Sequence, residues 1–242
     1  LIFMGHYDSR TRSNIDTDSY APGANDDGSG TVALLEMARI LSQARPDNRI
    51  ILAAVTGEEQ GLFGSSHLAA KAVAQGMKLE GAVTNDMIAN ITGGNGTIDN
   101  TYIRCFSPNP LESSSRNLAL YVKKISSLYV PEIDVNLIFR LDRFGRGGDH
   151  SPFIRKGYAG IRFTEPYENY AHQHSAYDTP DHMNFEYFTR TTRLNVALAY
   201  YWGMSPQQPL IVSVSRDSLY RTVITALCEN PAQRVKGFSV KI

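Results

Sequence analysis

The chain has 242 residues, and its 24 basic and 24 acidic side chains cancel, which removes the global electrostatic footprint of a nucleic-acid or polybasic membrane binder. With 42% hydrophobic and 20% charged residues, 10 Phe and 13 Tyr, the composition is that of a chain with a sizeable core, not a disordered one. No apolar run, Ile50 to Val55 among them, approaches the ~20 residues of a membrane span, and two cysteines, Cys105 and Cys228, cannot build a disulfide scaffold.

Leu1 to Gly5 reads as a buried strand that opens without a leader, so a further segment is expected upstream. A polar stretch, Ser9 to Gly30, follows. With Ser29 as its N-cap, the pattern Val32, Leu35, Met37, Ala38, Leu41 predicts a helix of about four turns. Arg49 to Thr56 is apolar on both faces, as a central parallel strand is. Gly57 to Gly61 is a turn, Leu62 to Ala74 a helix, and Leu79 to Asp86 and Thr101 to Phe106 are strands. Ser113 to Leu128 is helical, Ile133 to Phe139 and Gly160 to Thr164 are shorter strands, and Phe185 to Trp202 is a last long helix. Such alternation predicts an α/β fold with a mostly parallel sheet and helices on both faces. In such sheets the working residues gather beyond the carboxyl ends of the strands. A catalytic domain is therefore expected over residues 1–204. Residues 205–242 hold a Pro-containing linker and three apparent strands, Leu210 to Val214, Tyr220 to Leu227 and Val235 to Ile242.

The strand ends carry the chemistry. The first ends in His6-Tyr7-Asp8, a later one in Glu58-Glu59 and the next in Asn85-Asp86; between them lies Asp26-Asp27, and far downstream His172-Gln173-His174. Each feature alone has an ordinary explanation: a solvated helix start, a turn, a surface hydrogen-bonded pair. Together they place histidines and carboxylates at one edge of a sheet, the ligand types of a borderline divalent metal. His6, Asp26, Glu59, Asp86 and His174 suffice for two metals if one carboxylate bridges. Asp8, two residues beyond His6, is expected to hold that ring's second nitrogen. Glu58 and Glu59 are adjacent, so one binds metal while the other faces the substrate as a general base, with metal-bound water as nucleophile. His67 is read as solvent-facing, His172 and His182 as loop residues, and Cys105 as packing.

Five segments then carry a specific likeness: Gly5-His6-Tyr7-Asp8-Ser9, Pro22 to Gly30, Gly57 to Ser65, Asn85-Asp86-Met87, and His174 to Thr179. In this order they resemble the signature segments of the di-zinc aminopeptidases, which include bacterial leucyl aminopeptidase, glutamate carboxypeptidase and, as diverged relatives, glutaminyl cyclase and transferrin receptor. The resemblance covers about residues 1 to 202. It implies a three-layer α/β/α zinc-exopeptidase fold and removal of N-terminal residues from peptides through a water bridging two zinc ions. Cobalt or manganese would suit the same ligands. It implies that Asp26 bridges, that Glu59 and His174 complete one site and His6 and Asp86 the other, that Glu58 is the base, and that Asp8 and Asp27 are supporting acids. It also implies an extracellular or periplasmic location. Residues after 205 resemble, weakly, the opening strands of a fibronectin-type module.

The chain departs from the family where bacterial leucyl aminopeptidase offers a tyrosine to the oxyanion. The matching stretch here is Arg143 to His150, in which Arg143, Arg146 or His150 is a candidate donor and a plain loop an equal reading. Two other readings stand beside the peptidase. A single-zinc glutaminyl-cyclase-type acyltransferase would surround its metal with tryptophans, whereas the one tryptophan here is Trp202. A binding domain that lost its metals would show substituted ligands, and all five are present.

Overall fold

A computed structural model describes residues 1–108, 113–142 and 147–205, with the backbone of 210–216 and 222–227. The expected alternation is present: β1 (Ile2–His6), α1 (Gly28–Leu41), β2 (Ile51–Val55), α2 (Phe63–Ala74), β3 (Ala82–Asn85), β4 (Tyr102–Phe106), α3 (Ser114–Tyr129), β5 (Asp134–Ile138), α4 (His150–Arg155), β6 (Gly160–Thr164) and α5 (Phe185–Gly203). The short α4 was not expected from the sequence. Six strands form one sheet in the order β2-β1-β3-β6-β4-β5. Neighbours from β2 to β6 pair in parallel, β4 runs antiparallel to β6, and β5 runs parallel to β4.

Side-chain alternation divides the core. Phe3, Val83, Ile161 and Phe163 face one side and pack with α1, α3 and α5 residues such as Met37, Val122 and Leu198. Ile2, Met4 and Ala82 face the other and pack with Ala69 of α2 and Phe153 of α4. This is the three-layer arrangement expected, each strand serving two cores by its period of two. Burial of Phe3, Met4 and Phe163 to 0% exposure makes the sheet centre inaccessible to water, with each such side chain contributing roughly 1.5–3 kcal/mol.

Two expectations need correction. Ile51–Val55 is the edge of the described sheet and not a central strand; Ala54 is exposed, Ile51 to Ala53 are half-buried and Val55 alone is buried. An apolar run reports the side chains, while the place of a strand depends on which partners it meets. Helix α1 is capped by Asp27, whose carboxylate accepts the Gly30 amide, and not by Ser29, whose hydroxyl donates to the Asn25 carbonyl. Ser113 caps α3 by accepting the Arg116 amide and Asn184 caps α5 by accepting that of Tyr187, whereas α2 and α4 have no side-chain cap. In the tail, β7 (Leu210–Arg216) and β8 (Thr222–Leu227) pair antiparallel, and the strand read at 235–242 lies outside the described residues. Among the described residues no helix is long and apolar enough to cross a membrane.

β1 reaches the site by passing against the first turn of α1. A Cβ on Gly5 would lie 2.6 Å from the Gly30 carbonyl carbon and 2.8 Å from the Thr31 nitrogen, both backbone atoms. Gly5→Ala must therefore separate β1 from α1. Urea unfolding should show a loss of about 1–3 kcal/mol, the usual range for overpacking. An unchanged midpoint would show that the two elements are free to part.

Candidate metal centre

The parallel strands β1, β2 and β3 end on the same edge of the sheet, and their last residues lead into the loops that carry the candidate ligands. His6 is the last residue of β1 and fully buried, Glu58 and Glu59 follow β2, and Asp86 follows β3. Asp26 arrives from the loop before α1, next to the Asp27 cap, across a cis Asp26–Asp27 peptide. His174 comes from the loop between β6 and α5, with the left-handed φ of +56° that also marks Met87 (+59°) and Leu62 (+62°). Such conformations are uncommon for residues with a side chain, and all three flank the site.

The side chains converge as two groups. His6, Asp26 and Asp86 each offer an atom within 4.8 Å of the others, and so do Asp26, Glu59 and His174. Asp26 stands in both. Its Oδ1 is 3.4 Å from His6 Nε2 and its Oδ2 is 3.0 Å from His174 Nε2, which also lies 3.0 Å from Glu59 Oε1. All five sequence-predicted ligands are therefore brought together. Gln173 Nε2 donates to Asp26 Oδ2 at 2.9 Å, and the Asp178 carboxylate accepts the Asn25 and Asp26 amides, both at 2.9 Å. Glu165, buried beyond β6, accepts from the Asn25 side chain at 2.8 Å and the Asn90 amide at 3.0 Å, holding the same loop from its other side.

Asp8 does not act as its spacing suggested. His6 Nδ1 lies 2.9 Å from the Asp8 carbonyl oxygen, while the nearer carboxylate oxygen is 3.7 Å away. The carboxylate instead accepts the backbone amides of Glu58 (3.3 Å) and Glu59 (3.2 Å). Asp8 thus orients the turn that carries both glutamates, because amides at a strand end leave donors that a nearby acid can satisfy.

Burial and crowding set the electrostatics. Burial pulls His6 down, yet Asp26, Asp27 and Asp86 outweigh it and hold the imidazole well above its ordinary range. Burial likewise opposes protonation of His174, but hydrogen bonds to Asp26 and Glu59 raise it to about 9. Asp26, though buried, is held well below the usual range by the two histidines. Burial, then the Asp86 charge, pushes Glu58 up to about 8. The carboxylates thus favour positive charge beside them, and both imidazoles are shifted toward their protonated form.

The residue types also fit a divalent metal. His6 Nε2 and Glu59 Oε1 are buried and face the other candidate ligands, Asp26 and His174, and the nitrogen and oxygen donors form two three-ligand sets. A cleft of about 300 Å³ opens on them, lined by Arg10, Asp26, Glu58, Glu59, Gly61, Leu62, Asp86 and Gly147.

Of the residues considered as oxyanion donors, Arg143 and Arg146 lie outside the described residues. His150 is fully buried on α4 and does not line the cleft; burial, then the Arg162 charge, lowers it to about 3. His67 is exposed and Cys105 is buried packing, both as expected; His172 lies in a loop, while His182 ends a short 3₁₀ helix and stacks on His172 at 3.9 Å. Sequence reasoning missed Asp149, a buried acid raised by burial to about 6, and Arg162. The signal for Arg162 was present: an arginine inside Gly160–Thr164, a strand buried along its whole length, must be paired.

Comparison with known proteins adds to this geometry. The sequence profile described as peptidase family M28 matches residues 1–199. A protein of Leptosphaeria maculans named probable zinc metalloprotease is 38% identical over 245 residues, covering 90% of this chain and 57% of its own length. This chain therefore spans little more than half of that relative. Among solved structures, the LapA aminopeptidase of Legionella pneumophila superposes with a TM-score of 0.67 at 27% identity, over 84% of this chain and 51% of that one. BSAP, a zinc aminopeptidase from Bacillus subtilis, does so with 0.67 at 25% identity, over 86% and 47%. With its five ordered segments, its three-layer sheet and this match along 1–199, the chain belongs to peptidase family M28.

Proposed function

We propose that the protein is a zinc aminopeptidase that removes residues from the free N-terminus of peptides with two metal ions. The observation that carries this reading is Asp26, shared by two three-residue ligand groups, with Glu58 on the wall of the same cleft. His6 and Asp86 would hold one ion, Glu59 and His174 the other, and Asp26 both. Bound there, zinc supplies Lewis acidity, which polarises a peptide carbonyl and makes water acidic near neutral pH.

The chain's own groups supply the remaining steps. The acidic wall attracts an ammonium group, and about 300 Å³ is small for a binding cleft and suited to a chain end. Glu58 takes a proton from the attacking water on its carboxylate and returns it to the leaving amine as the C–N bond breaks. Its raised affinity for protons serves the first transfer, and the positive charge of bound metal would keep it ionised beforehand. The Asp8 carboxylate keeps Glu58 and Glu59 turned to opposite tasks through their amides.

Exchange of the two glutamates separates chemistry from metal binding. Glu58→Gln should retain its zinc, lose about 10²–10⁴-fold in kcat and change little in KM on aminoacyl chromogenic substrates. Glu59→Gln should lose metal first, with activity partly restored by added zinc. Full metal and full activity in Glu58→Gln would refute the mechanism; the reverse pattern would exchange the two roles.

Metal uptake should also release protons. His6 and His174 must be neutral to act as ligands, and in chelator-stripped protein the neighbouring carboxylates favour the protonated form of both. Zinc titrations by calorimetry in buffers of different ionisation enthalpy should show more than one proton released per protein. The number should fall as pH rises through about 9, where the His174 share is already lost. Uptake without proton release would mean that these histidines are not the ligands.

A further inference from the structure

Among the described residues, two arginines touch the candidate centre, one at each ligand group. Arg10, in the loop after β1, places Nε 2.7 Å from Glu59 Oε2, while Glu59 Oε1 is the oxygen that faces His174. The Arg10 guanidinium is itself fixed, since Nη1 donates to the Arg12 carbonyl at 3.2 Å. Arg162, fully buried on β6, places Nη2 3.1 Å from Asp86 Oδ2 and Nη1 2.7 Å from Asp142 Oδ2. Nη1 also donates to the Gly147 carbonyl at 3.2 Å, on the wall of the cleft. One arginine therefore meets each ligand group, each time on the carboxylate that the groups do not share.

We propose that Arg10 and Arg162 are positioning residues of the metal centre, each occupying one oxygen of Glu59 or Asp86 so that the carboxylate presents only the other to metal. The inference rests on the two-ion reading above. Its physical basis is that a carboxylate has two equivalent oxygens and, unrestrained, can close both on one cation. A guanidinium held by other groups occupies one of them, Arg10 through a directed hydrogen bond to Glu59 and Arg162 through an ion-pair contact with Asp86 that lacks hydrogen-bond geometry. Each ion then keeps a low coordination number and an open position, the condition of a catalytic zinc site. The two positive charges also offset part of the repulsion among the crowded acids. An ordinary surface ion pair would do little, but Glu59 is 6% exposed and Arg162 0%, so these contacts are shielded from water.

Zinc binding to the chelator-stripped protein, followed by competition with a chromophoric chelator, tests this without recourse to turnover. Arg10 is on a loop and partly exposed, so Arg10→Gln should fold; Arg162→Lys keeps the buried charge but cannot bridge Asp86 and Asp142. Each variant should lose about 10–100-fold in one of the two zinc-binding steps, the range for groups that orient metal ligands, and the affected step should differ between them. Arg10→Lys should recover part of the loss. With cobalt in place of zinc, the variants should show weaker visible absorption as the freed carboxylate adds an oxygen to the ion. Zinc bound by Arg10→Gln as tightly as by wild type, or more tightly, would overturn the proposal and leave the arginine as a charge that merely opposes the metal. Loss of the same step in both variants would overturn the assignment of one arginine to each ion. A wild-type protein that takes up fewer than two zinc ions would instead strike the two-ion reading itself, and the positioning roles with it.

Discussion

One buried carboxylate ties together the elements on which the site depends. Asp27, 1% exposed, accepts the His6 amide at 3.0 Å through Oδ2, and through Oδ1 the Gly30 amide at 2.9 Å and the Met87 amide at 3.3 Å. These donors belong to the end of β1, the first turn of α1 and the loop after β3. His6, Asp26 and Asp86 each lie beside one of those contacts or beside Asp27 itself. Strand ends and helix starts both leave amides without partners. An acid at their crossing satisfies all three and fixes the spacing of the candidate ligands with them.

That arrangement concentrates negative charge. Burial, then the charges of Asp86 and Asp26, hold Asp27 well above the usual carboxylate range, against the opposing charge of His6. Glu58 and Asp149 are raised for related reasons, burial foremost. Such a cluster is tolerable only if cations answer it, because several unpaired buried charges would each cost several kcal/mol. Among the described residues, Arg162 and Arg10 supply two positive charges, and the imidazoles of His6 and His174 add to them when protonated. A divalent metal would take over the imidazoles' part, so folding, proton binding and metal binding draw on one electrostatic balance.

The three-layer fold serves this balance by geometry. Parallel pairing from β2 to β6 brings four strand ends to one edge, so residues 6, 58, 59, 86 and 165 approach one another although far apart in sequence. Helices on both faces keep water from the sheet, and a charge at that edge is screened less than on an open surface. Backbone in the left-handed region at Leu62, Met87 and His174 is confined to loops around the centre, where neighbouring contacts hold it in place.

The sequence by itself determined the alternation of strands and helices and the five residues that meet at the centre. Those signals are local: a period of two or 3.6, or a short segment whose residue types already imply a ligand. Tertiary structure alone decided the matters that depend on which distant elements meet. It placed the apolar Ile51–Val55 strand at the edge of the described sheet, turned the Asp8 carboxylate from the His6 ring to the Glu58 and Glu59 amides, and set the buried His150 away from the cleft. It also gave Arg162 its partners, Asp86 and Asp142, which lie 76 and 20 positions earlier in the chain. The sequence could mark a buried arginine as needing a counter-charge, but a counter-charge acts through space, and only the packing of β6 against its neighbours chose which acids would provide it.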